Sequence, residues 1–279
     1  MIKRILVGLG GTGFTSVAIR RAVELAQIHE AQLTGVTVVD MERLRRVGPV
    51  PAGAAGAAHD LREHRMHVTR QRIEEAIGEF QGACSAAGVK HGVRQEQGDS
   101  FHIMLSCARY HDLVVFGLRS IFDYGILGGA DYEPSKLLAS LLTGGVRPIV
   151  AVSEEYRPIR RILIAYSGSM ESARTMRRFV QLRLWPDMTL RIVTFEYPLD
   201  KGERLCADAA EYCRAYGVEP ETHYCPNSPK ERLLPEAADW EADMIVMGNS
   251  ARSLFSRKLF GETALHVIRN ADRPLFLCQ

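Results

Sequence analysis

The chain repeats one sequence pattern, and this repeat restricts the possible folds more than any other feature. Ile2–Val7 resembles Ile159–Ile164 at an offset of 157 residues, and Asp112–Gly117 resembles Asp243–Gly248 at an offset of 131. The other matched segments follow the same order: Leu33–Thr37 with Leu190–Thr194, Cys84–Val89 with Cys213–Val218, and Arg147–Ala151 with Arg273–Leu277. Because a unit of roughly 125–155 residues has the size of one domain, the repeat predicts two tandem domains. We call residues 1–153 unit one and residues 154–279 unit two.

Within each unit, short apolar runs alternate with longer amphipathic segments. In unit two the pattern predicts strands at Arg161–Tyr166, Thr189–Phe195, Glu219–Tyr224, Met244–Met247 and Pro274–Leu277. It predicts helices at Ser169–Leu182, Gly202–Tyr216, Pro229–Trp240 and Leu259–Arg269. Alternation of strands and helices is typical of a mostly parallel sheet with helices on both faces. The predicted fold class is therefore α/β, with two tandem open parallel-sheet domains of five strands each.

Composition and charge narrow the function classes. The 279 residues are 46% hydrophobic and 24% charged, which is typical of a soluble globular protein. The net charge is +2 and neither unit has a strong basic excess, which argues against a nucleic-acid-binding protein. No apolar run reaches the ~18–20 residues of a membrane helix, and the N-terminal apolar run is too short for a signal peptide. The sequence thus predicts a cytoplasmic protein without a membrane or nucleic-acid partner.

The cysteine and histidine patterns do not indicate a disulfide scaffold or a metal site. The six cysteines are sparse and form no C-x-x-C pair, so we interpret them as reduced thiols. His59, Glu63, His64 and His67 have spacings that a metal site could use, but we interpret them as solvated residues near the start of a surface helix.

The offsets locate an insertion in unit one. Between the second strand and the next helix the offset falls from 157 to 129, so unit one has 28 extra residues around Met41–Arg65. The segment Val47–Ala57 is rich in Gly, Ala and Pro, which favours a mobile loop. Two interpretations stay open: a loop that covers a ligand or packs on the other domain, and a tolerated surface insertion.

Two loops of unit two are candidates for ligand binding. In an open parallel sheet, ligands bind beyond the carboxyl ends of the strands, where the strand order reverses. The loops at that position are Tyr166–Ser169 and Gly248–Thr263, and the second contains small residues, the basic residues Arg257 and Lys258, and a predicted helix start. Small residues and a helix start let backbone N–H groups approach phosphate oxygens. The loop favours phosphate binding, and the alternative is an ordinary strand–helix connection.

The duplication, the element order and this loop resemble the universal stress protein family. Nucleotide-binding members of that family carry Gly, two residues, Gly, nine residues, and Gly followed by Ser or Thr. Here Gly248, Ala251, Gly261 and Glu262 keep the spacing with two substitutions. The resemblance covers essentially the whole chain as a tandem pair, with the motif confined to unit two. It implies Rossmann-like domains that pack together as a pseudo-dimer and bind ATP or AMP, with or without magnesium.

The resemblance also implies the residues around a nucleotide in unit two. The expected cofactor-binding residues are Ser167, Phe195, Met247, Gly248, Asn249, Ala251, Arg252, Gly261, Glu262 and Thr263. Phe195 would flank the adenine, and Met247 and Gly248 would lie against the ribose. Gly248, Ala251, Gly261 and the backbone of Glu262 and Thr263 would face the phosphates. Three departures weaken such a site: the Ala251 methyl group, the Glu262 carboxylate, and Ser167 where nucleotide binders often have Asp.

Unit one departs further from the family pattern. Ser135 stands where unit two has Gly261, and Asp123, Asp131 and Glu133 would place negative charge near a phosphate. We therefore expect no nucleotide in unit one and a structural or regulatory role for it.

Other functions remain open at this point. Gly8, Gly10 and Gly13 form a G-x-G-x-x-G turn followed by Asp40, which is typical of an NAD- or FAD-binding Rossmann enzyme. Asp40 comes later than usual, and the equivalent turn of unit two lacks the glycines. A third alternative is a tandem scaffold that has lost its nucleotide. No catalytic residue set is recognisable, so we expect at most slow ATP hydrolysis and a stress-response protein that acts through conformation and a protein partner. A homodimer of two chains stays open.

Overall fold

The computed structural model describes residues 2–41, 44, 55–119, 122, 124, 134–146, 148–248 and 261–278. In these residues unit one contains strands β1 (Arg4–Gly8), β2 (Gln32–Val39), β3 (His91–Gln97), β4 (Leu113–Gly117) and β5 (Ile149–Val152). Its helices are α1 (Gly13–His29), α2 (Ala55–Ala86), α3 (Ser100–Ala108) and α4 (Pro134–Thr143).

Unit two repeats this alternation. Its strands are β6 (Arg161–Ala165), β7 (Thr189–Thr194), β8 (Pro220–Tyr224), β9 (Met244–Gly248) and β10 (Leu275–Cys278). Its helices are α5 (Met170–Leu182), α6 (Leu199–Ala215), α7 (Pro229–Asp239) and α8 (Glu262–Asn270).

The ten strands form one continuous sheet in the order β3-β2-β1-β4-β5-β10-β9-β6-β7-β8. All neighbouring strands are parallel except β5 and β10, which pair antiparallel with Ala151 opposite Leu275. Each unit therefore contributes five strands in the same internal order, and the two units meet at their last strands. The predicted α/β class with two open parallel-sheet units is confirmed.

An aspartate at the same place in each unit accounts for part of the sequence repeat. The Asp112 carboxylate, just before β4, accepts hydrogen bonds from the backbone N–H groups of Lys3 and Arg4 at 2.8 and 2.9 Å. Asp243, just before β9, accepts from Arg160 and Arg161 at 2.8 Å each. In each unit a side chain thus binds the backbone where the central strand begins.

Helix boundaries differ from the sequence prediction at three places. Ala55–Ala57 lie in α2 and not in a loop, since alanine is the strongest helix former; the rest of Val47–Ala57 lies outside the described residues. The last helix begins at Glu262 and not at Leu259, because Gly261 has extended φ and ψ angles and is the N-cap. Helix α6 begins at Leu199, three residues before the predicted start.

The connection between the units runs from the end of β5 at Val152 to the start of β6 at Arg161. The domain boundary after residue 153 lies in this connection and stays a prediction. Helix α1 also joins the units, because the buried Arg21 guanidinium donates to the backbone carbonyl of Arg157.

Candidate functional site

An open cleft lies at the carboxyl ends of the parallel strands of unit two. Strand β6 is flanked by β7 on one side and β9 on the other, so the strand order reverses next to it. The residues that follow β6 and β7 line a cleft of about 450 Å³. The lining residues are Ser167, Gly168, Ser169, Glu196, Lys201 and Leu205. The cleft thus lies where the topology predicts a ligand site.

One wall of the cleft is a cluster of hydroxyl groups at the start of α5. The Ser167 hydroxyl lies 3.0 Å from that of Ser169 and 3.3 Å from that of Ser172. Ser169 is the N-cap of α5, and its Oγ accepts from the Ser172 N–H at 3.2 Å. The wall therefore offers both donors and acceptors beside the positive end of a helix dipole.

Gly168 allows this loop to lie against α6. Its φ is +71°, in the left-handed region that favours glycine. A Cβ atom at this position would lie 2.6 Å from Cδ2 of Leu205. Both the backbone conformation and the close contact therefore require a residue without a side chain.

The cleft lining also contains a pair of opposite charges that the sequence analysis missed. Lys201 Nζ lies 3.1 Å from Glu196 Oε2; the Lys201 side chain is 55% exposed and the Glu196 side chain 12% exposed. Lys201 reaches the cleft because α6 begins at Leu199. Pro198 before the first turn and the acidic Asp200 within it were the sequence signals of that earlier start.

The predicted site residues on the strand ends come together, but not all of them face the cleft. Ser167 lines it, and Phe195 follows β7 with its ring partly buried against the core. The Met247 side chain is 4% exposed and belongs to the core. Gly248 lies against α5, since a Cβ atom there would be 2.9 Å from the backbone oxygen of Glu171.

Only some of the predicted phosphate-facing residues lie in the part of the chain that the structure describes. Gly261, Glu262 and Thr263 lie at the start of α8. The Glu262 side chain is 82% exposed and its carboxylate lies 3.5 Å from Lys230 Nζ, so this carboxylate points towards solvent. Other residues of the expected loop lie outside the described residues: Asn249, Ala251, Arg252, Arg257 and Lys258.

The corresponding region of unit one is occupied by aromatic side chains. Phe122 and Tyr124, which follow β4, are 4% and 2% exposed. The Tyr124 N–H donates to the Gly10 carbonyl at 3.1 Å, and a Cβ atom on Gly11 would lie 2.8 Å from the Tyr124 ring. This glycine turn thus makes room for an aromatic ring of the same chain. Asp123, Asp131 and Glu133 lie outside the described residues.

The same contacts bear on the dinucleotide-binding alternative. A Cβ atom on Gly8 would lie 3.1 Å from Phe116 Cβ and 3.7 Å from the Phe122 ring, and one on Gly13 would lie 3.3 Å from a Glu154 carboxylate oxygen. A pyrophosphate needs open backbone N–H groups at such a turn. The packing at Gly8 and Gly13 therefore gives the dinucleotide alternative no support.

Other chemistry has little support in the part of the chain that the structure describes. It contains no group of three or more His, Cys, Asp or Glu side chains that could hold a metal ion. All six cysteines are free and buried, and burial raises the pKa of Cys84, Cys206 and Cys213 to about 11. No described helix combines the length and the apolar character needed to cross a bilayer.

Comparisons with known proteins agree with this architecture. The model of the universal stress protein family matches residues 1–121 and 196–279. A universal stress protein from Archaeoglobus fulgidus DSM 4304 is 19% identical over 99% of this chain and 96% of that chain, with a TM-score of 0.68. A functionally unknown protein from Pseudomonas aeruginosa PAO1 is 18% identical over 99% of this chain and 92% of that chain, with a TM-score of 0.57. None of the curated proteins compared with the chain matches it.

Proposed function

The chain belongs to the universal stress protein family, and from that premise we propose that unit two binds an adenine nucleotide, ATP or AMP, in the cleft beside β6. The observation that carries the proposal is the difference between the units. Among the described residues, the strand ends of unit two border an open cleft, whereas the aromatic side chains of Phe122 and Tyr124 occupy the corresponding region of unit one. A volume of about 450 Å³ lies within the range of small-molecule sites.

The polar groups of the cleft suit a nucleoside. The hydroxyl cluster at Ser167 and Ser169 can pair with ribose hydroxyls or ring nitrogens, since each hydroxyl both donates and accepts. The Lys201 side chain is half-exposed, and its ammonium group has N–H donors beyond the one that faces Glu196, so it can also donate to a ligand. We propose that these groups hold the nucleoside part of the ligand.

The phosphates would extend towards the start of α8. Gly261 is the N-cap of this helix, and free N–H groups and the helix dipole favour an anion there. Glu262 is no obstacle, because its side chain is turned to solvent and paired with Lys230. Magnesium would bind through the phosphates if it is present. We propose that nucleotide occupancy is sensed through conformation and a protein partner, without efficient catalysis.

The first experiment identifies the ligand. The purified full chain is denatured, and released nucleotides are measured by mass spectrometry, followed by calorimetry with ATP, AMP and NAD. We expect ATP or AMP at one per chain and no NAD. Release or binding of NAD alone would contradict the proposal in favour of a dinucleotide site, and failure of all three to bind would support the scaffold that has lost its nucleotide.

The second experiment tests the position of the phosphates with Gly261→Asp. Aspartate is a good N-cap residue, so the variant should fold as well as the parent protein. Its carboxylate would repel a phosphate, and we expect ATP to bind at least 10-fold more weakly, with a smaller effect on AMP. Thr12→Asp places the same carboxylate at the N-cap of α1 in unit one and serves as the matched control. Unchanged ATP affinity in Gly261→Asp would refute this placement.

Gly248→Val is a less suitable variant. A side chain at Gly248 would collide with the backbone of α5, so lost binding would not distinguish a ligand contact from a packing defect.

A further inference from the structure

The backbone of β2 continues beyond the end of β1 and binds a side chain there. The last backbone bond between these strands runs from the Leu9 N–H to the Val36 carbonyl at 2.9 Å. Two residues further along β2, the Val38 N–H and carbonyl point to the same side. The Tyr124 hydroxyl accepts from the Val38 N–H at 3.0 Å and donates to the Val38 carbonyl at 3.1 Å. One hydroxyl thus satisfies both backbone groups.

The rest of Tyr124 is also held by contacts from several elements. Its backbone N–H donates to the Gly10 carbonyl, and its carbonyl accepts from Arg72 Nη1 of α2 at 2.5 Å. The ring lies over Gly11, whose φ is +65°. The side chain therefore occupies an enclosed pocket with an apolar body and a polar end formed by Val38.

The backbone of this segment does not adopt its conformation by local preference. Phe122 and Tyr124 have φ values of +54° and +48°, in the left-handed region that aromatic residues rarely adopt. Such conformations persist where the surrounding contacts determine them. The contacts of the pocket therefore hold Phe122 and Tyr124 in these conformations.

Unit two has the same strand geometry at this point. The Tyr166 N–H donates to the Val193 carbonyl at 2.9 Å, as Leu9 does to Val36, and the repeat offset places Phe195 at the position of Val38. We propose that unit one contains a second binding pocket, for a planar aromatic ring with a hydrogen-bonding edge, and that Tyr124 occupies it as an internal ligand. The pocket takes phenol-like molecules when the Tyr124 side chain is absent.

The test is Tyr124→Ala with 4-methylphenol, which has the shape of the removed side chain. We expect the thermal midpoint of Tyr124→Ala to fall by roughly 5–15 °C. A concentration of ~10 mM 4-methylphenol should raise it again by about 3 °C, and toluene, which has no hydroxyl, should raise it less. The parent protein should not respond, because its pocket is filled. Tyr110→Ala removes a tyrosine that is 69% exposed and should also give no response.

Two results would overturn the inference. One is a folded Tyr124→Ala protein that responds to 4-methylphenol no more than the parent protein or Tyr110→Ala. The other comes from Tyr124→Phe, which keeps the ring and serves if Tyr124→Ala does not fold. In Tyr124→Phe we expect the Val38 amide hydrogen to exchange at least 10-fold faster, since its acceptor is lost. Unchanged exchange at Val38 would show that the hydroxyl does not hold this strand end. The test uses no nucleotide, so its outcome is independent of the proposed function.

Discussion

Glu24 of α1 accepts the indole N–H of Trp185, in unit two, at 3.0 Å. Its other carboxylate oxygen accepts from the Tyr156 hydroxyl at 3.1 Å and lies 2.5 Å from Nη1 of Arg21, whose side chain is fully buried. One carboxylate of unit one is therefore shared between a buried cation of its own helix and two residues of unit two.

Glu24→Ala should weaken the association of the units. The substitution leaves the buried Arg21 guanidinium without its counter-charge, and we expect the free energy of unfolding in urea to fall by about 3 kcal/mol. A double-mutant cycle with Trp185→Phe should give a coupling of roughly 1 kcal/mol. Glu74→Ala, at an exposed position of α2, is the control and should change stability by less than about 0.5 kcal/mol. Equal effects of Glu24→Ala and Glu74→Ala would contradict this role.

Asp112→Ala and Asp243→Ala should have matching effects, because the two aspartates make the same pair of backbone bonds. Each substitution should lower the free energy of unfolding by about 1 kcal/mol. The double variant should lose the sum within about 0.5 kcal/mol, since the sites lie in different units. These losses are measured by urea unfolding of both single variants and the double variant. Asp60→Ala, at an exposed position, is the control. A loss of stability in only one of the single variants would show that the two aspartates do not contribute equally to the stability of their units.

The buried thiols should react slowly in the folded protein. Because burial raises the pKa of Cys84, Cys206 and Cys213 to about 11, their thiolate fraction at pH 8 is about 100-fold lower than that of an ordinary thiol with pKa 9. We expect an aromatic disulfide reagent to label all six cysteines in urea and to label these three at least 100-fold more slowly in the native protein. Ser85→Cys adds an exposed thiol and should react fast. Rapid native labelling of any of the three would contradict their burial.

His111 should make stability depend on pH. Burial lowers its pKa below the usual 6.5, although its Nδ1 lies 2.7 Å from the Cys107 carbonyl. Below about pH 6.5 the unfolded chain therefore binds the proton more readily than the folded chain, so stability falls as pH decreases. Thermal midpoints between pH 7.5 and 5 should decline less in His111→Gln than in the parent protein. His64→Gln, at an exposed position, should leave the profile unchanged, and an equal decline in all three proteins would exclude His111 as the source.

The sequence predicted the elements better than the contacts between them. The strand ends of unit two fell within about one residue of the prediction. For β6, β9 and β10 the reason is that the apolar runs of buried parallel strands are sharply bounded. Asp112 and Asp243 lay in matched segments because each binds the backbone at the start of a central strand. The roles of Tyr124 and Lys201 depend on which side chains meet after folding. The sequence alone does not distinguish an aromatic loop residue that is exposed from one that is buried against a glycine turn. Gly248 illustrates the same limit: its spacing predicts a ligand contact, and the spacing gave no sign that a Cβ atom there would also meet the backbone of α5.

The antiparallel pairing of β5 with β10 also affects self-association. Each unit alone would end in an apolar strand with unpaired backbone groups, and such edges recruit strands from other chains. In the fused chain β5 and β10 each have a neighbour on both sides, so neither can accept a further strand. The remaining edges are β3, with Arg94 and Glu96, and β8, with Pro220 and Glu221, and charges and proline discourage edge-to-edge aggregation. Duplication therefore protects the chain from edge-to-edge aggregation, because it places the apolar strands β5 and β10 at the centre of the sheet.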